Sequence, residues 1–336
     1  MFSALESAHR PGTSSISASQ DDSPTRPPQS RPRSAMSKYG NFHDFCRDTG
    51  NLYSTLPVCN LFDQSRTRSG TGWGGCDLTG IPLSGERRLA NLGSIIFAAI
   101  AILASAFLLW RSERKKAAVG RREMQLFLLG YIIISICEIF SIGGFPLDSA
   151  VRRGFSAAHI AAIVATLWVL MLNGIVGFQL LDDGTPVSIG LMVGSAAIFF
   201  IGTGYIALDT GFSFTGYWDS TLTGNNRAYA LYTLYQLVPL VFLVVFFLLE
   251  TFLVLRVLGE RKPMIYLAGA ALLFAVAQIF QYVASVHICQ GTDGKINGGM
   301  FETLFTLLSV VMVWIFWSSI TEDDWPMPGV GGSGYA

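Results

Sequence analysis

Long apolar runs separated by short polar breaks dominate the chain after residue 88. Seven stand out, at 89–110, 124–144, 156–181, 187–208, 229–255, 264–288 and 299–320. Each reaches the ~20 residues a helix needs to cross about 30 Å of hydrocarbon. Within lipid only helices and closed barrels satisfy every backbone polar group. Barrel strands would alternate in segments of about 10 residues, which these runs do not. The pattern predicts an all-α membrane protein, a polytopic bundle of about seven transmembrane helices over residues 89–320.

The flanks read differently. Residues 1–38 are rich in Ser, Pro, Arg and Gln. They hold too little apolar surface to offset the entropy of ordering, which predicts a disordered tail. Met36 stands where the composition shifts and is a candidate alternative start to Met1. Residues 39–88 form a polar segment with aromatics, Gly, Cys46, Cys59 and Cys76. Residues 321–336, TEDDWPMPGVGGSGYA, are a short acidic tail. Residues 1–40 show no apolar core of a signal peptide, so the first span is expected to act as its own insertion signal.

Composition narrows the class further. The chain has 336 residues, is 51% hydrophobic and has a formal net charge of zero, which argues against nucleic acid. Charge placement sets an orientation. The loop after the first span carries Arg111, Arg114, Lys115, Lys116, Arg121 and Arg122, and the loop before the sixth carries Arg256, Arg261 and Lys262. Opposite loops hold only Arg152, Arg153, Arg227 and Lys295; Arg87 and Arg88 oppose the trend. The balance places the N-terminus outside or in a lumen and the C-terminus in the cytosol. Cys46, Cys59, Cys76 and Cys289 then share the oxidising side, while Cys137 lies within a span. Four such cysteines allow three pairings. Cys46–Cys59 with Cys76–Cys289 is the preferred one, and free thiols are the alternative.

Ionisable groups within spans are costly and therefore functional candidates by default. They are Glu138, His159, Glu250, His287 and Glu302. His159, His287 and Glu302 stand near interfaces, where a structural role outweighs catalysis, and none of the five falls in a catalytic spacing such as HExxH or GxSxG. No catalytic, cofactor or metal site is assigned. Gln278, Gln281 and Ser285 are three and four residues apart and are expected on one helix face, as packing or client-contact residues. Gly190 and Gly194 form a GxxxG suited to close helix approach. Trp110, Trp314, Trp317 and Trp325 near the cytosolic ends are expected interfacial anchors. Trp317 with Glu322, Asp323 and Asp324 is a candidate docking patch, against a reading of simple solvation.

Several segments in order resemble the fungal chitin synthase export chaperone family. FHDFCRDTGNLYSTLPVCNLF (42–62) is similar to its cysteine-bearing opening. VGRREM (119–124) resembles its first cytosolic loop, and GFQLLDDGTPVS (177–188) its third-span exit. The densest likeness is SVHICQGTDGKINGGMFETLFTLLSVVMVWIFWSSITEDD (285–324). The chain departs from the family pattern in the basic approach GERRLANLGSII, the loop GGFPLDSAVRRGF and the long leader. The resemblance implies a chaperone of the endoplasmic-reticulum membrane that helps a polytopic chitin synthase fold and leave that compartment, supporting cell-wall chitin. It implies no catalysis. Its partners would be a chitin synthase, the bilayer and the export machinery. The competing expectations are a seven-span receptor or transporter, and an intramembrane enzyme.

Overall fold

The computed structural model describes residues 39, 40, 42, 46, 56–62, 78–83, 88–115, 118–143, 145, 148–179, 183–218 and 229–321. Seven of its helices are long and apolar enough to cross a membrane. They are α1 (Leu92–Arg114), α2 (Arg121–Ser141), α3 (Ser149–Val176), α4 (Pro186–Phe212), α5 (Tyr229–Leu258), α6 (Lys262–Gly291) and α7 (Gly299–Ile320).

Local chemistry explains the ends. The Asn91 side chain caps α1 by accepting from Ser94 N at 3.2 Å. Thr185 caps α4 through Ser188 N at 3.2 Å, and Pro186 at the first turn gives up no helix bond. Gly120 starts α2 at φ 67°, where a side chain would be strained. Its N–H donates to Asp183 Oδ2 at 2.8 Å, tying the α1–α2 and α3–α4 loops together. α3 begins at Ser149, earlier than its apolar run, because the pattern of apolar residues marks lipid contact and not helix length. Arg152 and Arg153 are therefore helical, and Arg153 donates to the Gly211 carbonyl on α4 at 3.0 Å.

The packing order runs α6–α7–α1–α2–α3, and both α4 and α5 lean on α3. α3 is the hub, with 56% of its most apolar window buried; α4 is peripheral at 17%. Toward the basic-loop end the core includes Phe127, Leu128, Val313, Trp314, Phe316 and Trp317. Trp314 and Trp317 therefore correct the expectation of interfacial anchoring, since both are buried. Their indole N–H groups find internal acceptors, Ser112 Oγ at 2.8 Å and the Val119 carbonyl at 2.9 Å, which makes burial tolerable. Trp110 is half exposed beneath the Arg114 guanidinium, 3.8 Å from the ring centre. Trp325 lies outside the described residues.

The other end carries the cysteines. A 3-10 turn, Pro57–Leu61, sits on α3 and α4. Phe42, Leu56, Val58, Leu61 and Phe62 pack there against Ala157, Ile160, Ala207 and Leu231, forming an apolar cap across α3, α4 and α5. Cys46 and Cys59 are disulfide-bonded inside this cap. Asn60 reaches between α2 and α3, donating to Ser156 Oγ at 3.2 Å. Two short strands, β1 (Ile81–Pro82) and β2 (Arg88–Leu89), pair antiparallel. Beside them Thr79 N donates to the Gly294 carbonyl at 2.9 Å, and Leu78 and Ala90 bury against Cys289.

Candidate functional site: a cavity between α5 and α6

α5 and α6 face each other without close backbone packing, and a cavity of about 560 Å³ lies between them. α2, α3 and α7 form its back wall. Pro57 of the cap covers its disulfide end. Along the opening, Leu240, Val244 and Leu248 of α5 and Ala271 of α6 both line the cavity and remain exposed on the helix surfaces. The cavity therefore opens sideways, at the level of the apolar spans.

Both walls are shaped by π-helical turns. Pro239 has no N–H for the Tyr235 carbonyl four residues back and crowds it, so α5 widens at Thr233–Leu237. α6 widens at Phe280–Ala284. The two wide turns meet where Tyr282 Oη donates to Gln236 Oε1 at 3.0 Å.

Polar groups collect toward the disulfide end. Glu138 of α2 is buried and hydrogen-bonded by the Thr303 hydroxyl of α7, which also meets the Gly299 carbonyl at 2.8 Å. Glu302, one residue before Thr303, lines the cavity and accepts from Thr306 Oγ1 at 3.0 Å. It keeps part of its surface uncovered, and what it faces is the cavity. Tyr235, Gln278 and Gln281 share this end. His159 borders it but is committed to Ser141, Nδ1 to Oγ 2.9 Å. The opposite half is apolar, with Phe127, Leu170, Phe246, Leu267 and Val313.

The other residues singled out from the sequence are scattered. Ser285 leaves the face shared by Gln278 and Gln281, because the π turn between them adds about one residue to the helical repeat. Its Oγ instead accepts from Gly298 N at 3.1 Å, so it packs against the turn before α7. Gly190 and Gly194 lie on the uncovered side of α4, with nothing within 4 Å of an added Cβ. Trp317 belongs to the bundle core and not to a docking patch, while Glu322, Asp323 and Asp324 lie outside the described residues. Glu250 is buried away from the cavity, and His287 is exposed. Cys289 is disulfide-bonded, Cys137 is a buried free thiol, and Cys76 lies outside the described residues.

Sequence reasoning passed over Thr303, Gln236, Tyr282 and Glu123. Thr303 could have been noticed as one of two Thr residues within a turn of Glu302, and Pro239 signalled a break within α5. The contact between Gln236 and Tyr282 left no local trace. Glu123, counted with a loop, is fully buried; its Oε1 accepts from Gly184 N at 2.8 Å and from Ser188 Oγ at 3.0 Å.

A seven-helix membrane bundle with a disulfide-braced cap and a sideways-opening cavity is the class of protein that these features define. Comparison with known proteins makes the assignment specific. The family model described as chitin synthase export chaperone matches residues 38–330. Chitin synthase export chaperones of Coccidioides immitis (29% identical over 301 residues) and Chaetomium globosum (30% over 295) each align with 85% of this chain and 83% of their own length. That of Cryptococcus neoformans is 29% identical over 295 residues, 86% of this chain and 76% of its own. No solved structure matches. The chain belongs to the chitin synthase export chaperone family.

Proposed function

We propose that this protein resides in the endoplasmic-reticulum membrane, holds a polytopic chitin synthase in an export-competent state, and acts without catalysing a reaction. The observation that carries this reading is the family match across 38–330, which takes in all seven helices. The orientation follows the charge balance: the disulfide end faces the lumen and the basic-loop end the cytosol. A disulfide in the cap accords with an oxidising compartment. The partner of Cys289 is assigned to Cys76, which would tether the end of α6 to the N-terminal segment.

The client contact is assigned to the outer side of α4. That helix leans mainly on α3, and its Gly190–Gly194 face leaves room for another backbone to approach. The acidic residues Glu322, Asp323 and Asp324 are assigned to the export machinery. The deciding experiment follows a fluorescent chitin synthase in cells with and without this protein. Retention in the endoplasmic reticulum on its loss alone is expected; normal delivery to the surface without it overturns the reading. Gly190→Ile with Gly194→Ile is expected to leave the protein's own level unchanged and to retain the synthase. Truncation after Thr321, which spares Trp317, tests the tail separately.

A further inference from the structure

We propose that the cavity between α5 and α6 is a binding site for a hydroxyl-headed lipid without phosphate, its apolar body entering from the bilayer. At about 560 Å³ the cavity falls within the ~300–1,000 Å³ typical of small-molecule sites.

The distribution of polarity matches an amphiphile standing along the membrane normal. Hydrogen-bonding groups gather at one end, near the membrane surface, and Phe, Leu and Val line the other, toward the interior. The cap closes the polar end through Pro57, so access runs sideways past Leu240, Val244 and Ala271. The head chemistry follows from the donors and acceptors. Glu302 lines the space together with Gln278 and Gln281, whose amides can accept or donate. No Lys or Arg occurs among the described lining residues, while two acids, Glu138 and Glu302, stand together. A phosphate head would meet acidic groups with no cation to pair it. A neutral hydroxyl can donate to Glu302 and accept from a glutamine amide. Sterols and ceramides share that chemistry.

The site is independent of which client the protein serves. The test uses the purified full chain in phosphatidylcholine nanodiscs. Photoreactive sterol, ceramide and phosphatidylcholine analogues are added singly, and adducts are mapped by peptide mass spectrometry. Labelling of α5 and α6 by the sterol or the ceramide analogue is expected, and which of them labels identifies the source. Ala271→Trp, at the exposed mouth, is expected to lower that labelling at least about tenfold, equivalent to roughly 1.4 kcal/mol, with the melting temperature unchanged. Glu302→Gln is expected to weaken it and to narrow the preference over phosphatidylcholine. Equal labelling by the phosphatidylcholine analogue overturns the proposal. So does the absence of labelling by all three, or labelling indifferent to Ala271→Trp. Cross-linking of a synthase helix inside the cavity in place of lipid overturns it as well.

Discussion

Replacing Gly298 by Ala tests how the turn before α7 is held against α6. Gly298 has φ −65°, so alanine meets no backbone penalty there. The cost is steric. A Cβ would stand 2.1 Å from the Phe280 carbonyl oxygen and 2.8 Å from Ser285 Cα, both parts of the main chain. Neither can turn aside as a side-chain tip would, so the loop must retreat from the π turn. Overpacking of this kind costs about 1–3 kcal/mol. Retreat also breaks the 3.1 Å bond from Gly298 N to Ser285 Oγ, worth about 0.5–1.5 kcal/mol. Lower unfolded-state entropy returns about 0.4–1 kcal/mol. The net spans about 0.5–4 kcal/mol with a midpoint of about 2 kcal/mol, a fall in melting temperature of about 4–8 °C by the scaling for large domains. The assay is the fraction of detergent-solubilised protein still monodisperse on size exclusion after heating. Gly291→Ala is the control. It is the last residue of α6, with nothing within 4 Å of an added Cβ, and should melt with the wild type or slightly above it. Identical melting of Gly298→Ala and wild type would refute the close seating of the turn.

Three further outcomes are expected. Gly130→Ala drives a Cβ to 2.4 Å from Thr166 Oγ1 and should cost about 1–3 kcal/mol; adding Thr166→Ala should restore most of that melting temperature, and failure to do so would remove the α2–α3 contact from the explanation. Trp317→Phe keeps the ring in the core but takes the donor from the Val119 carbonyl; a loss of about 1 kcal/mol is expected, read as faster proteolysis of the loop between α1 and α2. Cys46→Ser opens the link to Cys59, 13 residues away; the loop-entropy estimate is about 3 kcal/mol, and limited proteolysis should cut near residues 56–62 while the helices stay intact.

How much of this was legible depends on the range of the interaction. Seven helices follow from run lengths, because lipid leaves the backbone no other arrangement. Gln278 and Gln281 on one face follow from spacing, and Ser285 departs because a π turn breaks the 3.6-residue repeat. That turn sits against Gly298, which is distant in sequence from Phe280, so no local pattern marks it. Glu138 was visible as a buried acid, but its partner Thr303 lies 165 residues on. Trp314 and Trp317 looked interfacial because Trp near a span end usually is; only their acceptors on α1 and the following loop show why they turn inward. Gly190 and Gly194 were legible as small residues, and their uncovered position on α4 was not.

The cap also imposes a schedule on biosynthesis. Its residues Phe42, Cys46 and Leu56 to Phe62 are made before any span, yet the surfaces that bury them include Leu231 on α5. At roughly 5–20 residues per second, about 10–30 s separate the two. During that interval the Cys46–Cys59 link is the feature of the cap that needs no later helix to form. It also withdraws two thiols from circulation before Cys289 emerges, which leaves fewer wrong pairings for the last cysteine to find. A protein that attends to the maturation of another membrane protein thus passes through its own unattended stage, and a short local bridge shortens the list of errors open to it.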